Sequence, residues 1–125
     1  MTIIVNTSLA DKTTAEIETW PTLFKASENG GKMEITRAGQ GTSTLKMPKA
    51  SLDTDDCYIF PIADLNVIYV WTGVTTSGRE RNNTVKMAIR IKKLMGSKSL
   101  VDVFPQGKEK PGFTQFFDDW ENSDY

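Results

Sequence analysis

The sequence predicts an α+β domain in which about five strands form one sheet accompanied by one long and one short helix. Three observations carry this. Five short runs with strand character are spread between Thr22 and Phe104. Between the fourth and fifth lies a segment whose apolar residues recur at helical spacing, and a cluster of aromatic residues near the C-terminus repeats at i, i+3, i+4 and i+7. The size agrees: 125 residues, 38% hydrophobic and 25% charged, make one globular domain with room for a core.

Taken in order, residues 1–20 form an N-terminal extension of unclear structure. "ADKTTAEIETW" is left open between a short helix ahead of Pro21 and irregular chain. "TLFKAS" and "KMEITRA" read as strands paired through "ENGG", because Asn29, Gly30 and Gly31 can supply the positive φ of a tight hairpin. A polar loop is expected next, with "AGQG" (residues 38–41) and Pro48 in it. "CYIF" reads as a buried strand ended by Pro61, which cannot donate to a ladder. "VIYVW" is a second buried strand and "LVDVF" a fifth strand. The long helix runs from about Gly78 to Met95. Ser77 is its N-cap with Glu80 at capping-box spacing, and Gly96 is its stop. Thr84, Met87, Ala88, Ile91, Leu94 and Met95 share its inward stripe, while Asn82, Lys86, Ile89, Arg90 and Lys93 share the opposite face. In "GFTQFFDDW" the aromatic stripe of Phe113, Phe116, Phe117 and Trp120 predicts a short helix packed on the core.

Composition excludes several function classes. The 15 Lys and Arg nearly balance the 16 Asp and Glu, for a formal charge of −1, so there is no overall basic excess for nucleic-acid binding. No apolar run approaches the ~20 residues of a membrane span, and the start has no basic segment before its apolar stretch. A cytoplasmic protein without a transmembrane segment is expected. Cys57 is the single cysteine, so no intrachain disulfide forms, and the N-x-S/T matches at Asn6 and Asn82 read as chance. With no histidine there is no Ser-His-Asp or Cys-His nucleophile pair, and no glycine-rich phosphate loop is present, so no enzyme is expected.

The acidic stretch "SLDTDDCYIF" needs a partner for its charge. Asp53, Asp55 and Asp56 read either as a solvated turn capping local N–H groups or as oxygen donors to a cation. An EF-hand is excluded, because Tyr58 stands where that loop requires glycine. A hard cation would have to be held by donors from separate segments, with Glu80 as the helix candidate, and Glu80 has its capping-box role as the competing reading. The outer helix face likewise reads two ways: as a solvated surface carrying one stray apolar residue, or as a partner-binding face anchored by Ile89.

The order of these pieces resembles a known family. "DDCYIF", "VIYVWTG", a helix with Glu80 in its first turn, and "VDVFPQGKEKPGFTQFFDDW" together are similar to a gelsolin-like domain of the gelsolin, villin and severin family. The most specific matches are Trp71 and Gly73, Glu80, and the aromatic pattern from Pro111 to Trp120; "LFKASENGGKMEITRA" is similar to the family's opening strands. The resemblance implies a central mixed sheet of about five strands between a long helix and a short one. It places the domain at residues 21–122, followed by an acidic tail at 123–125. It further implies a Ca²⁺ site using the Asp55 carbonyl, the Asp56 carboxylate and a bidentate Glu80, with Asp124 as a further ligand after the short helix. In function it implies an actin regulator, located in the cytoplasm with the cytoskeleton. Actin or an actin-like protein would be met through Asn82, Lys86, Ile89, Arg90 and Lys93 on the outer face of the long helix. Family members that share a second calcium with actin carry an acid where Lys92 stands here, so that shared ion is not expected. Severing needs two actin-binding surfaces at once, so monomer binding or end capping is expected instead. Two alternatives come with the resemblance: a calcium-binding interaction module that does not touch actin, and a phosphoinositide-binding module using the basic helix and Lys98. The acidic "DDWENSDY" segment disfavours the second.

Overall fold

A computed structural model of the protein describes residues 19–96 and 98–120. Five strands form one mixed sheet: β1 (Thr22–Asn29), β2 (Lys32–Gln40), β3 (Cys57–Ile62), β4 (Val67–Thr72) and β5 (Leu100–Pro105), in the order β2-β1-β3-β4-β5. The β1–β2 hairpin turns at Gly30 and Gly31, whose φ values of 61° and 84° are the left-handed conformation that glycine adopts without strain. β3 and β4 pair antiparallel from Cys57↔Thr72 to Ile62↔Val67 and connect through a single 3-10 turn ending at left-handed Asn66. β4 and β5 are parallel, so a crossover must join them. The long helix α1 (Gly78–Met95) provides it.

The strands alternate their side chains between two cores. Ala26, Ile59, Ile68 and Val70 meet Ala88 of α1, with Val85, Met87, Ile91 and Met95 packed against them. On the other face Leu23, Tyr58, Phe60, Tyr69, Trp71 and Phe104 meet Phe113, Phe116 and Phe117. Buried Thr84 fits the first core because its hydroxyl donates to the Glu80 carbonyl at 2.8 Å.

Four local expectations are corrected. Gly39 and Gln40 belong to β2 rather than to a loop; a register irregularity at Leu23/Phe24 lets the hairpin extend that far. Pro61 does not end β3: it pairs with Ile68, at a point where β1 has already left the other side of the strand. The missing N–H is tolerated because β3 is an edge there. Leu94 is 87% exposed instead of buried, since it lies roughly 120° around the helix from Ala88 at 3.6 residues per turn. The aromatic segment is helical only over α2 (Pro111–Thr114). It then continues in tight turns, with a bridge from Met47 to Phe117 and a positive φ at Asp119. Its four aromatics still pack together, so the stripe was a true signal for the core and not for a helix of that length. Most of "ADKTTAEIETW" lies outside the described residues. Among the described residues no helix is long and apolar enough to cross a membrane.

Candidate functional site

The candidate site lies at the end of the sheet where β3 begins and β4 ends. The acidic turn before β3 is stitched to the loop before α1: Gly73 N donates to the Asp56 carbonyl at 3.0 Å, and Thr75 N and Oγ1 donate to the Thr54 carbonyl at 3.2 and 2.9 Å. The single Thr75 hydroxyl proton is shared between that carbonyl and Asp55 Oδ1, which lies 2.5 Å from Oγ1, and Asp55 N donates to Asp53 Oδ1. Gln106, just beyond β5, closes the same corner by accepting from Thr54 Oγ1 and Val74 N.

Gly73 makes this approach possible. A Cβ there would lie 2.2 Å from the Thr54 carbonyl oxygen and 2.7 Å from that of Asp56, both backbone atoms that cannot swing away. Gly73→Ala is therefore expected to cost about 1–3 kcal/mol or more as the turn is forced off the loop. Thermal unfolding checks this, with Gly78→Ala as the comparison. Gly78 has only the end of the Arg81 side chain nearby, so its alanine variant should be unchanged or slightly more stable.

Asp56 is half-buried, with Oδ1 accepting from Ser27 Oγ at 2.9 Å and Oδ2 lying 3.8 Å from Lys25 Nζ. Glu80 makes the predicted capping box: Ser77 Oγ accepts from Glu80 N at 3.1 Å and Ser77 N donates to Glu80 Oε1 at 3.2 Å. Cys57, the first residue of β3, follows Asp56 and is buried. Burial pushes its thiol pKa up, the Thr84 and Thr76 hydroxyls oppose that, and the Glu80 carboxylate adds to it. Tyr58, next in the strand, is pushed up to about 12 by burial, although its hydroxyl accepts from Asp53 N at 2.7 Å; the charges of Asp56 and Asp53 act in the same direction as burial. Asp56 thus directly precedes β3, and the Glu80 carboxylate acts on the Cys57 thiol from the first turn of α1. Asp124 lies outside the described residues.

No group of three or more His, Cys, Asp or Glu side chains converges among the described residues. A site of two carboxylates completed by backbone carbonyls and water does not require one. Apart from the buried Cys57 thiol, the donors at this corner are oxygens, which suit a hard cation such as Ca²⁺ over a thiolate- or imidazole-seeking metal. The cation at 3.8 Å from Asp56 is a lysine whose side chain is 40% exposed and can move into water. Lys25 and Ser27 were not found from the sequence, because their approach to Asp56 comes from the pairing of β1 with β3. Their shared face on an alternating strand was the only local trace of it.

The outer face of α1 is a second, separate surface. Asn82, Lys86, Arg90 and Lys93 are exposed, and Ile89 is 43% exposed among them. At the helix start Arg79 pairs with Glu28 of β1 at 3.0 Å, and Arg81 Nη1 donates to the Thr76 carbonyl. The first contact ties the helix start to the sheet and the second to the preceding loop, while the outer face stays open.

No family model matches the chain. Rat macrophage-capping protein is 32% identical over 116 residues, which cover 90% of this chain and 31% of that protein. Gelsolin-like protein 1 of Caenorhabditis elegans is 33% identical over 107 residues, 82% of this chain and 21% of the relative. Chicken gelsolin is 31% identical over 104 residues, 82% and 13% respectively. The chain spans about a third or less of these curated relatives. Among solved structures, the Thorarchaeota 2DGel3/rabbit actin complex matches with a TM-score of 0.63 at 21% identity, over 78% of this chain and 45% of that one. The Thorarchaeota ProGel/rabbit actin complex matches with 0.59 at 17% identity, over 74% and 93%. At those identities the likeness is one of fold. Sequence likeness to gelsolin and its relatives over most of the chain, carried on this five-stranded mixed sheet between a long and a short helix, makes the chain a gelsolin-like domain of the gelsolin family.

Proposed function

We propose that this domain is a calcium-binding regulator of actin that binds monomers or caps filament ends through the outer face of α1. The observation that carries the reading is the exposure of Ile89 within a ring of polar and cationic side chains, Asn82, Lys86, Arg90 and Lys93. An apolar anchor with a charged rim is the composition of a protein-binding surface. Relatives named as a capping protein and as gelsolin, and fold neighbours solved in complex with rabbit actin, support actin as the partner. The reading is of a binding module, not an enzyme, acting at the cytoskeleton in the cytoplasm. Its extent is residues 21–122, with 1–20 as an extension and 123–125 as an acidic tail.

In this reading Asp56 and Glu80 hold Ca²⁺, with the Asp55 carbonyl and Asp124 as further donors. When bound, the ion supplies a divalent charge between the turn before β3 and the start of α1. The chain's own part is to hold that turn against the helix loop through Gly73, Thr75 and Gln106, and to keep Glu80 oriented through Ser77. Glu80→Gln keeps an oxygen for the capping box while removing charge and bidentate ligation. The expected result is calcium affinity reduced about tenfold or more in a calorimetric titration, with little change in unfolding temperature in chelator. Unchanged affinity would leave Glu80 with its helix-capping role alone.

The function is tested by actin polymerisation with and without Ca²⁺. Dose-dependent slowing is expected. A protein that binds calcium yet leaves every actin tried unaffected would be an interaction module for another partner.

A further inference from the structure

The one cation beside Asp56 among the described residues belongs to the chain itself. Lys25 Nζ lies 3.8 Å from Asp56 Oδ2, while Ser27 Oγ, two residues along the same strand and on the same face, holds Asp56 Oδ1 at 2.9 Å. The two contacts divide the carboxylate: one oxygen is fixed by a short neutral hydrogen bond, and the other meets a looser, charge-only neighbour. The lysine side chain is 40% exposed and the aspartate 16%. The ammonium can therefore withdraw into water, whereas Asp56 stays where the strand pairing puts it and is left needing another counter-charge.

We infer that Lys25 is a built-in competitor for the cation at Asp56: its ammonium neutralises that carboxylate when calcium is absent and must leave Oδ2 before calcium binds there. The inference rests on the calcium reading above and adds what sets the affinity of that site. An ammonium and a calcium ion at one carboxylate oxygen repel each other, so occupancy by Lys25 disfavours occupancy by Ca²⁺. Each then weakens the other by the same factor. The pair lets the domain fold without calcium, because Asp56 has a counter-charge in either state. It also raises the calcium concentration at which the site fills. Ser27 serves both states by keeping the carboxylate turned the same way.

The test is calorimetric titration of calcium chloride into the wild-type chain and into Lys25→Met, which keeps the stem and removes the charge. Lys25→Met is expected to bind calcium about tenfold more tightly, the effect of losing one opposite charge beside a carboxylate. Lys25→Arg should stay close to wild type. Lys98→Met is the control for net charge. It makes the same charge change at the far end of the sheet, beside the Val67↔Leu100 pairing and about 20 Å from Cys57 along a six-residue strand, and its affinity should match wild type. Thermal unfolding gives an independent readout: in chelator Lys25→Met should melt below wild type, and saturating calcium should close or reverse the gap. If Lys25→Met folds poorly, Lys25→Gln replaces it. Equal or weaker binding by the Lys25 variants, with wild type still binding calcium, overturns the competitor role and leaves the calcium reading standing. Equal tightening by Lys98→Met overturns it too, since the effect would then be one of overall charge. Calcium binding by neither wild type nor the Lys25 variants removes the calcium reading and this inference with it. Binding seen only after Lys25 is replaced would support the inference most directly.

Discussion

Phe113→Ala is expected to cost about 3–5 kcal/mol, the usual range for removing a fully buried aromatic side chain. Phe113 is 0% exposed, and its ring meets Phe60, Tyr69, Phe104, Phe117 and Trp120 at centroid distances of 4.9–6.1 Å. It stands where the short helix, β3, β4 and β5 all meet, so the cavity cannot be closed by moving one neighbour. Urea denaturation checks the value. A lower midpoint at unchanged slope is the expected form, whereas a loss below about 1 kcal/mol would mean that this cluster collapses onto the vacancy.

Ile89→Asp is expected to separate function from stability. Ile89 is 43% exposed and outside both cores, so the fold should lose no more than about 0.5 kcal/mol, the usual limit for a surface change. The same change puts an anion at the centre of the proposed contact. It should weaken the effect on actin polymerisation by about thirtyfold or more, as expected for a central anchor. Lys86→Ala and Lys93→Ala should weaken it moderately and reduce its salt sensitivity, because rim charges act mainly on encounter. A well-folded Ile89→Asp protein acting at full strength would move the contact away from α1.

What was legible in the sequence was whatever local chemistry determines. The hairpin at Gly30 and Gly31, the capping box of Ser77 and Glu80, and the stop at Gly96 are short-range arrangements, and all three are present where expected. The five-stranded sheet between two helices followed from periodicity and from the family resemblance together. Pro61 and Leu94 misled because each obeys a rule that depends on neighbours. Proline ends a strand only where the missing donor would face a partner, and an apolar helix residue is buried only where the sheet extends beneath it. For the candidate site, the sequence pointed to Asp55, Asp56 and Glu80 and could not see Lys25 or Ser27. The contacts of these last two depend on which strand lies beside which, and a pairing between residues about thirty positions apart leaves no trace in the sequence beyond their shared strand face.

The pairing of β1 with β3 has a consequence for how the chain folds. Every other pairing in the sheet joins strands consecutive in sequence, but this one skips β2 and is registered over only three residues, Phe24↔Ile59, Lys25↔Tyr58 and Ala26↔Cys57. Two hairpins can thus form early from local contacts, each closing only a short loop. The seam between them closes later, and by the same token it is the place where the sheet can part into two cooperative units without either hairpin melting. Lys25 and Cys57 belong to that seam, and Ser27 and Asp56 sit immediately beyond its last pair. The Lys25–Asp56 ion pair, with one partner from each side of the seam, then acts as a clasp between the two hairpins. Amide hydrogen exchange at Ala26 and Cys57 would report on that clasp more directly than any measurement of the molecule's global stability.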